Sequence, residues 1–218
     1  MTSNVRTAGL ATARRRSFQE SGCESVQEII DIAVTAEAFA VTFLGEALAS
    51  AEAGDLALNE EVVGTLTAAR AAEQAHFDLL IERGAEPLTT TFTVPDPELL
   101  TDPEVFFTTL IELEEAFIAA YTAAAQEFTL LGEAELAQIA LQIGAVEAEH
   151  RVGLRFFAIE EGILEGPPND VAFERALFTS VGEAAALLED LGFIGGDGDE
   201  IEFPGPGEID PTGVEDLV

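Results

Sequence analysis

Two short stretches place a carboxylate and an imidazole within one helical turn of each other: Glu73-Gln74-Ala75-His76 and Glu147-Ala148-Glu149-His150. They contain the only two histidines of the chain. Residues three apart on a helix share a face, so each pair aims an oxygen and a nitrogen donor the same way. Composition tempers the signal. Of 218 residues 42 are acidic, and at that frequency both histidines trail an acid at this spacing about one time in twenty-five by chance. The upstream context strengthens it. Glu37-Ala38-Phe39 precedes the first pair and Glu115-Ala116-Phe117 the second. The glutamate-to-glutamate separations are similar (73−37=36; 147−115=32). The chain therefore reads as Glu, then Glu-x-x-His, twice over.

Such residues need helices to hold them, and the apolar spacing supplies four. A capping-box pattern, Ser25-Val26-Gln27-Glu28, opens a helix over about 26–51 whose apolar stripe includes Ala33, Glu37, Ala40 and Leu44. A carboxylate on such a stripe is costly unless it is paired or bound to a metal. Asn59 caps a second helix, about 60–83, with Glu73 and His76 on the same face as Leu66 and Leu80; Gly84 stops it. Thr101-Asp102-Pro103-Glu104 is a second capping-box pattern with proline at the first helical position. It begins a helix over about 103–131, on which Phe107, Ile111, Glu115, Ile118 and Thr122 are expected to share a face, while Glu112 and Glu114 fall elsewhere and are expected in solvent. After the Leu131-Gly132 turn, a fourth helix, about 133–161, carries Ile143, Glu147, His150 and Leu154 on one stripe.

Residues 84–101, with Pro87, a Thr-rich run and Pro95-Asp96-Pro97, read as an extended connection. Short loops join antiparallel neighbours, whereas a long one lets two helices of a bundle run parallel. The expectation is an all-α fold: a four-helix bundle over 25–162 with a long crossover between its second and third helices. Ahead of it lies a flexible leader, 1–24. Behind it lie residues 163–218, with a fifth helix over about 170–191 bearing Phe173, Leu177 and Leu188, then an irregular acidic tail. Asp197-Gly198-Asp199-Glu200 lacks the spacing of a calcium loop and reads as a solvated acidic stretch.

The net charge is −33, and all nine cationic residues are arginine. This surface repels nucleic acid and anionic lipid. With 48% hydrophobic residues the chain still has the means to build a core. An acidic surface of this kind suits concentrated salt, where the Debye length falls to about 3 Å and self-repulsion is screened. The expected consequence is an extreme halophile's protein that loses stability when salt is removed, measurable as a midpoint of thermal unfolding falling between molar and millimolar salt. A single cysteine, Cys23, excludes an internal disulfide and a four-cysteine metal site. No run of 18 apolar residues occurs, so no membrane span is expected. Arg14-Arg15-Arg16-Ser17-Phe18 resembles a twin-arginine export signal, but Gln19, Glu20 and Glu24 stand where an apolar stretch is needed. A cytoplasmic location is the expectation.

If the two halves pair about a pseudo-twofold axis, Glu37, Glu73, His76, Glu115, Glu147 and His150 meet in one central space. Four carboxylates neutralise two divalent cations, and two of them bridging hold the ions roughly 3.5–4 Å apart. In order and type these residues resemble the ferritin-like superfamily of di-iron carboxylate bundles. There one Glu comes from each of two helices and Glu-x-x-His from each of the other two. The resemblance covers about residues 26–161 and is nearest to the ferritin-like domains that include desiccation-related proteins. It implies Glu37 and Glu115 as terminal ligands, Glu73 and Glu147 as bridging ligands, and one metal for each of His76 and His150. The chain departs from rubrerythrins, which carry a cysteine-rich unit and a further glutamate ligand; Glu46 and Glu112 are not clearly on the metal face. Tyr121, the only tyrosine, follows Glu115 by six residues. It is either a partner of a ligand or a buried aromatic with a satisfied hydroxyl.

The resemblance implies a pair of iron ions, or of manganese ions, and a di-metal oxidoreductase that oxidises Fe(II) with dioxygen or peroxide in iron handling or oxidative-stress defence. Two other readings stay open: peroxide disproportionation in the manner of manganese catalase, and a structural or stress protein without a reaction. Wide apolar arcs on the helices point to a homo-oligomer, a dimer or larger.

Overall fold

The computed structural model describes residues 24–207 and 209, so Cys23 and the Arg14-Arg15-Arg16 stretch lie outside the described residues. Ser25 starts helix α1, Val26–Ala53: its hydroxyl accepts from Glu28 N while the Glu28 carboxylate accepts from Ser25 N, a closed capping box. Gly54, at φ 83°, ends it in the left-handed conformation that glycine adopts without penalty. Asn59 caps α2, Glu60–Glu82, by accepting from Glu61 N and Val62 N. Asp102, rather than Thr101, caps α3, Pro103–Leu131, and accepts from Glu104 N and Val105 N, with Pro103 at the first position. Helix α4, Ala134–Glu160, begins without a side-chain cap.

These four helices form the expected bundle. The closest pairings are α1 with α2 and α3 with α4, the two pairs joined by short turns. The crossover from α2 to α3 is long, as its composition predicts, and it has structure of its own. Strand β1, Thr91–Val94, is followed by a 3₁₀ turn at Pro97–Leu100. β1 pairs antiparallel with β2, Asp199–Glu202, in the register Phe92 opposite Ile201. The acidic tail therefore contributes one strand that returns to the crossover. Gly198 makes the approach possible, since a Cβ there would stand 2.1 Å from the Val94 carbonyl oxygen. Phe92 and Phe193, both fully buried, pack on Phe39 of α1 with ring centroids 5.5 and 4.9 Å away. Burying a phenylalanine contributes roughly 2–3 kcal/mol, so these rings fasten crossover and tail to the bundle.

The fifth helix, α5, is shorter than the apolar pattern suggests: Gly182–Asp190, with no helix between 163 and 181. Phe173, placed by pattern on a packed face, is 90% exposed. The segment is held instead by charges from α4. Arg151 Nη2 binds Asp170 at 2.8 Å, and Arg155 binds Asp170 and the carbonyls of Pro167 and Pro168. Those bonds fix an irregular backbone that a helix would have to give up. The start of α5 is tied by Glu127, whose carboxylate accepts from Val181 N, and by Glu24, which accepts from Gly182 N.

By length and composition α1 is apolar enough to cross a membrane, with mean hydropathy 1.6 over its most apolar stretch, but 67% of that stretch is buried inside the bundle. Glu37 lies in the middle of it. Among the described residues no other helix passes that test. As a core helix of a bundle, α1 needs its apolar character on nearly every side.

Candidate metal centre

Four helices each deliver one part of a single buried cluster. Glu37 comes from α1, Glu73 and His76 from α2, Glu114 from α3, and Glu147 and His150 from α4. All are buried except His150, which is nearly so. Two donor sets form: Glu37, Glu73, His76 and Glu147, and Glu73, Glu114, Glu147 and His150. Within each set the ligand atoms lie within 4.8 Å of one another. Glu73 and Glu147 belong to both. His76 Nδ1 stands 3.2 Å from Glu73, 3.4 Å from Glu37 and 3.6 Å from Glu147. His150 Nδ1 stands 2.9 Å from Glu73, 3.1 Å from Glu147 and 4.0 Å from Glu114.

Five of the six residues singled out by spacing come together here; Glu115 does not, and Glu114 takes its place. The side chain of Glu115 points away from the cluster and accepts from Arg151 and Arg175. The reason is helical phase. Thr108, Glu112, Glu115, Thr122, Gln126 and Thr129 are the partly or fully exposed residues of α3 at steps of three, four and seven, which is the solvent stripe of that helix. Glu114 sits about 100° from Glu115 and is buried among Leu110, Ala116 and Phe117 at 6% exposure. The repeat Glu-Ala-Phe at 37 and 115 suggests the wrong alignment of the halves. The polar stripe was the available signal for the right one, and Thr122 on it marks Glu115 as outward. Glu46 and Glu112 are exposed and take no part.

The chemistry of the donor set fits a pair of metal ions. Glu73 Oε1 and Glu114 Oε2 are buried with no properly aligned hydrogen-bond donor, although His150 Nδ1 is close to the former. Orphaned buried carboxylate oxygens are costly, and a cation among them supplies the missing partner. The four carboxylates would balance two divalent charges, and oxygen-rich ligation with one imidazole per set suits divalent metal ions.

Electrostatics in the metal-free cluster follow from burial and crowding. Burial pushes Glu37 and Glu114 well above the usual carboxylate range, with His76 partly opposing this at Glu37 and the charge of Glu147 adding to it at Glu114. Glu147 is raised by burial and by Glu73. Glu73 is also disfavoured by burial, yet its position between His150 and His76 holds it below the ordinary range. Burial alone would lower both imidazoles; their carboxylate neighbours reverse this and raise both well above the ordinary histidine value.

Two features outside the ligand set bear on the centre. Tyr121 donates its hydroxyl to Glu37 Oε1, and burial together with the charge of Glu37 raises its pKa well above the ordinary phenol value. Gly144 of α4 makes room for Tyr121, since a Cβ there would stand 3.1 Å from the tyrosine Cβ. A cleft of about 410 Å³ between α2 and α4 reaches Glu114 and His150 past Thr65, Ala69, Val146 and Gly153.

Among known families, the model described as a ferritin-like domain matches residues 25–159. No curated protein and no solved structure matches the chain.

Proposed function

We propose a reading that starts from kinship: this chain belongs to the ferritin-like domain family, whose model spans four-fifths of the bundle-and-beyond segment 25–190 and more than half of the whole chain. The bundle binds two divalent ions, one through Glu37 and His76 and one through Glu114 and His150, with Glu73 and Glu147 common to both. When bound, iron supplies one-electron redox chemistry toward dioxygen or peroxide. The protein oxidises Fe(II), in iron handling or in defence against oxidants. The observation that carries this reading is the sharing of Glu73 and Glu147 by two overlapping donor sets. A structural ion pair would need neither the sharing nor the fourfold negative charge.

The chain's own residues have separate tasks. Glu73 and Glu147 hold the two sites at a fixed spacing, because each reaches both imidazoles. Tyr121 fixes the rotamer of Glu37 through its hydroxyl. The cleft beside His150 and Glu114 gives small molecules a path to the cluster, while apolar walls from Leu66, Leu110 and Leu154 limit water around it.

The test is metal analysis of protein purified in high salt without chelator, followed by Fe(II) oxidation followed optically. The expected result is about two ions per chain and oxidation faster than in buffer, both lost in Glu73→Ala. Manganese in place of iron, with oxygen evolved from peroxide, selects the catalase-like reaction instead. A wild type that neither takes up metal nor differs from Glu73→Ala leaves a structural bundle.

A further inference from the structure

A second cavity has Tyr121 on its wall, and none of the six cluster residues lines it. It measures about 170 Å³, is lined by α1, α3, α5 and the crossover at Leu88 and Thr89, and opens to solvent where Leu88 and Glu189 are exposed. Its room comes from side-chain size: Ala33 and Ala36 of α1, Ala120 and Ala124 of α3, and Ala184 and Ala185 of α5 all line it. The hydroxyls on its wall already have partners. Thr35 donates to the Asp31 carbonyl at 2.6 Å and accepts from Leu88 N at 2.9 Å. Thr89 donates to the Thr91 carbonyl at 3.0 Å and accepts from Thr91 N at 3.1 Å. Tyr121 donates to Glu37. What remains facing the space is hydrocarbon, with the carboxylate of Glu189 as the one charged group of the lining among the described residues.

We propose that this cavity is a binding site for a small, uncharged, apolar molecule of roughly six to eight carbon atoms. A buried cavity of about 150 Å³ with apolar walls stays dry and takes up benzene; this pocket has a similar volume and a mostly hydrocarbon lining, with one side open for a ligand to enter. A molecule with a hydrogen-bonding need finds no free partner on the wall. An anion such as a short fatty acid meets Glu189 and a chain of net charge −33, and among the described residues no cationic side chain lines the space. The site is separate from the metal centre, and Tyr121 is the residue common to the cavity wall and the hydrogen bonding of Glu37. The ligand would lie against its ring.

The sequence provides the probe. Tyr121 is the only tyrosine and there is no tryptophan, so emission excited in the tyrosine band, where phenylalanine does not absorb, reports on this wall alone. The full-length, metal-free protein is titrated with cyclohexane, which is transparent in the tyrosine band. A saturable change in emission is expected, with none from hexanoate at the same concentrations. Ala185→Leu fills the cavity and should weaken binding at least tenfold while far-UV circular dichroism stays that of the wild type. Leu188→Ala enlarges it and should shift preference from cyclohexane toward cyclooctane by at least fivefold; this arm decides the matter if Ala185→Leu does not fold. A linear, unsaturable response, an equal response to hexanoate, or a cyclohexane-to-cyclooctane ratio unchanged in Leu188→Ala overturns the proposal. Each readout is independent of metal, so failure here leaves the two-ion reading intact and failure there leaves this one.

Discussion

The two halves of the centre have the same ligand types and different surroundings. On the α1–α2 side, His76 is 5% exposed, and Glu37 is closed off by the hydroxyl of Tyr121. On the α3–α4 side, Glu114 keeps an oxygen without a donor, and His150 borders a cleft open to solvent. A duplicated pattern therefore does not produce equivalent sites. The sealed half is held by a second-layer hydrogen bond, and the open half is the one a small reactant can reach. What the halves share, Glu73 and Glu147, is what would make them act together.

The largest effect should come from removing what is common. Glu73→Ala is expected to abolish both metal sites, with stoichiometry falling from about two ions per chain to near zero by elemental analysis; retention of one tightly bound ion would mean the halves are independent. Next in size is a change confined to one half. Glu114→Ala should leave about one ion per chain, whereas Glu115→Ala should leave two, because Glu115 is bound to Arg151 and Arg175. If the two variants behave in the opposite way, the phase assigned to α3 is wrong.

A third expectation concerns protons. Both imidazoles lie above the ordinary histidine value and Glu37, Glu114 and Glu147 above the ordinary carboxylate value, so without metal these groups hold protons more tightly than free side chains do. Metal ligation needs neutral imidazole and ionised carboxylate. Binding must then release protons, and affinity should keep rising with pH above the usual histidine value of about 6.5, and fall as pH is lowered. Calorimetry in two buffers of different ionisation enthalpy measures the release; equal heats at pH 7.5 would show that none occurs. The smallest effect is expected for Tyr121→Phe. It removes one hydrogen bond to a buried carboxylate, a loss of about 1–2 kcal/mol in the stability of the metal-free protein, with metal stoichiometry unchanged. A drop to one ion would promote the tyrosine to an essential support of the sealed half.

Much of this architecture was legible before any coordinates. Ser25, Asn59, Pro103 and Gly132 punctuate the helices through local chemistry, which tertiary packing has little reason to override. The centre was harder at one position. Adjacent glutamates 114 and 115 are both flanked by apolar residues, and α3 is buried over so wide an arc that an apolar-stripe argument accepts either. The fifth helix is shorter than its spacing predicts because its first half has helical periodicity but no counterpart to bury it: Phe173 lies in solvent while arginines from α4 set the backbone. The pairing of β1 with β2 joins residues more than a hundred apart in the chain, and nothing in either four-residue run names its partner.

The amino-acid order by itself determined four long helices, the carboxylate-imidazole pairs and the excess of negative charge, because helical period, capping and composition are written within a few residues. Only the tertiary structure decided which of two neighbouring glutamates turns inward, which half of the centre is open, and that a row of alanines leaves a space beside Tyr121. Those outcomes depend on what each helix meets across the core, and that is a property of the packed chain.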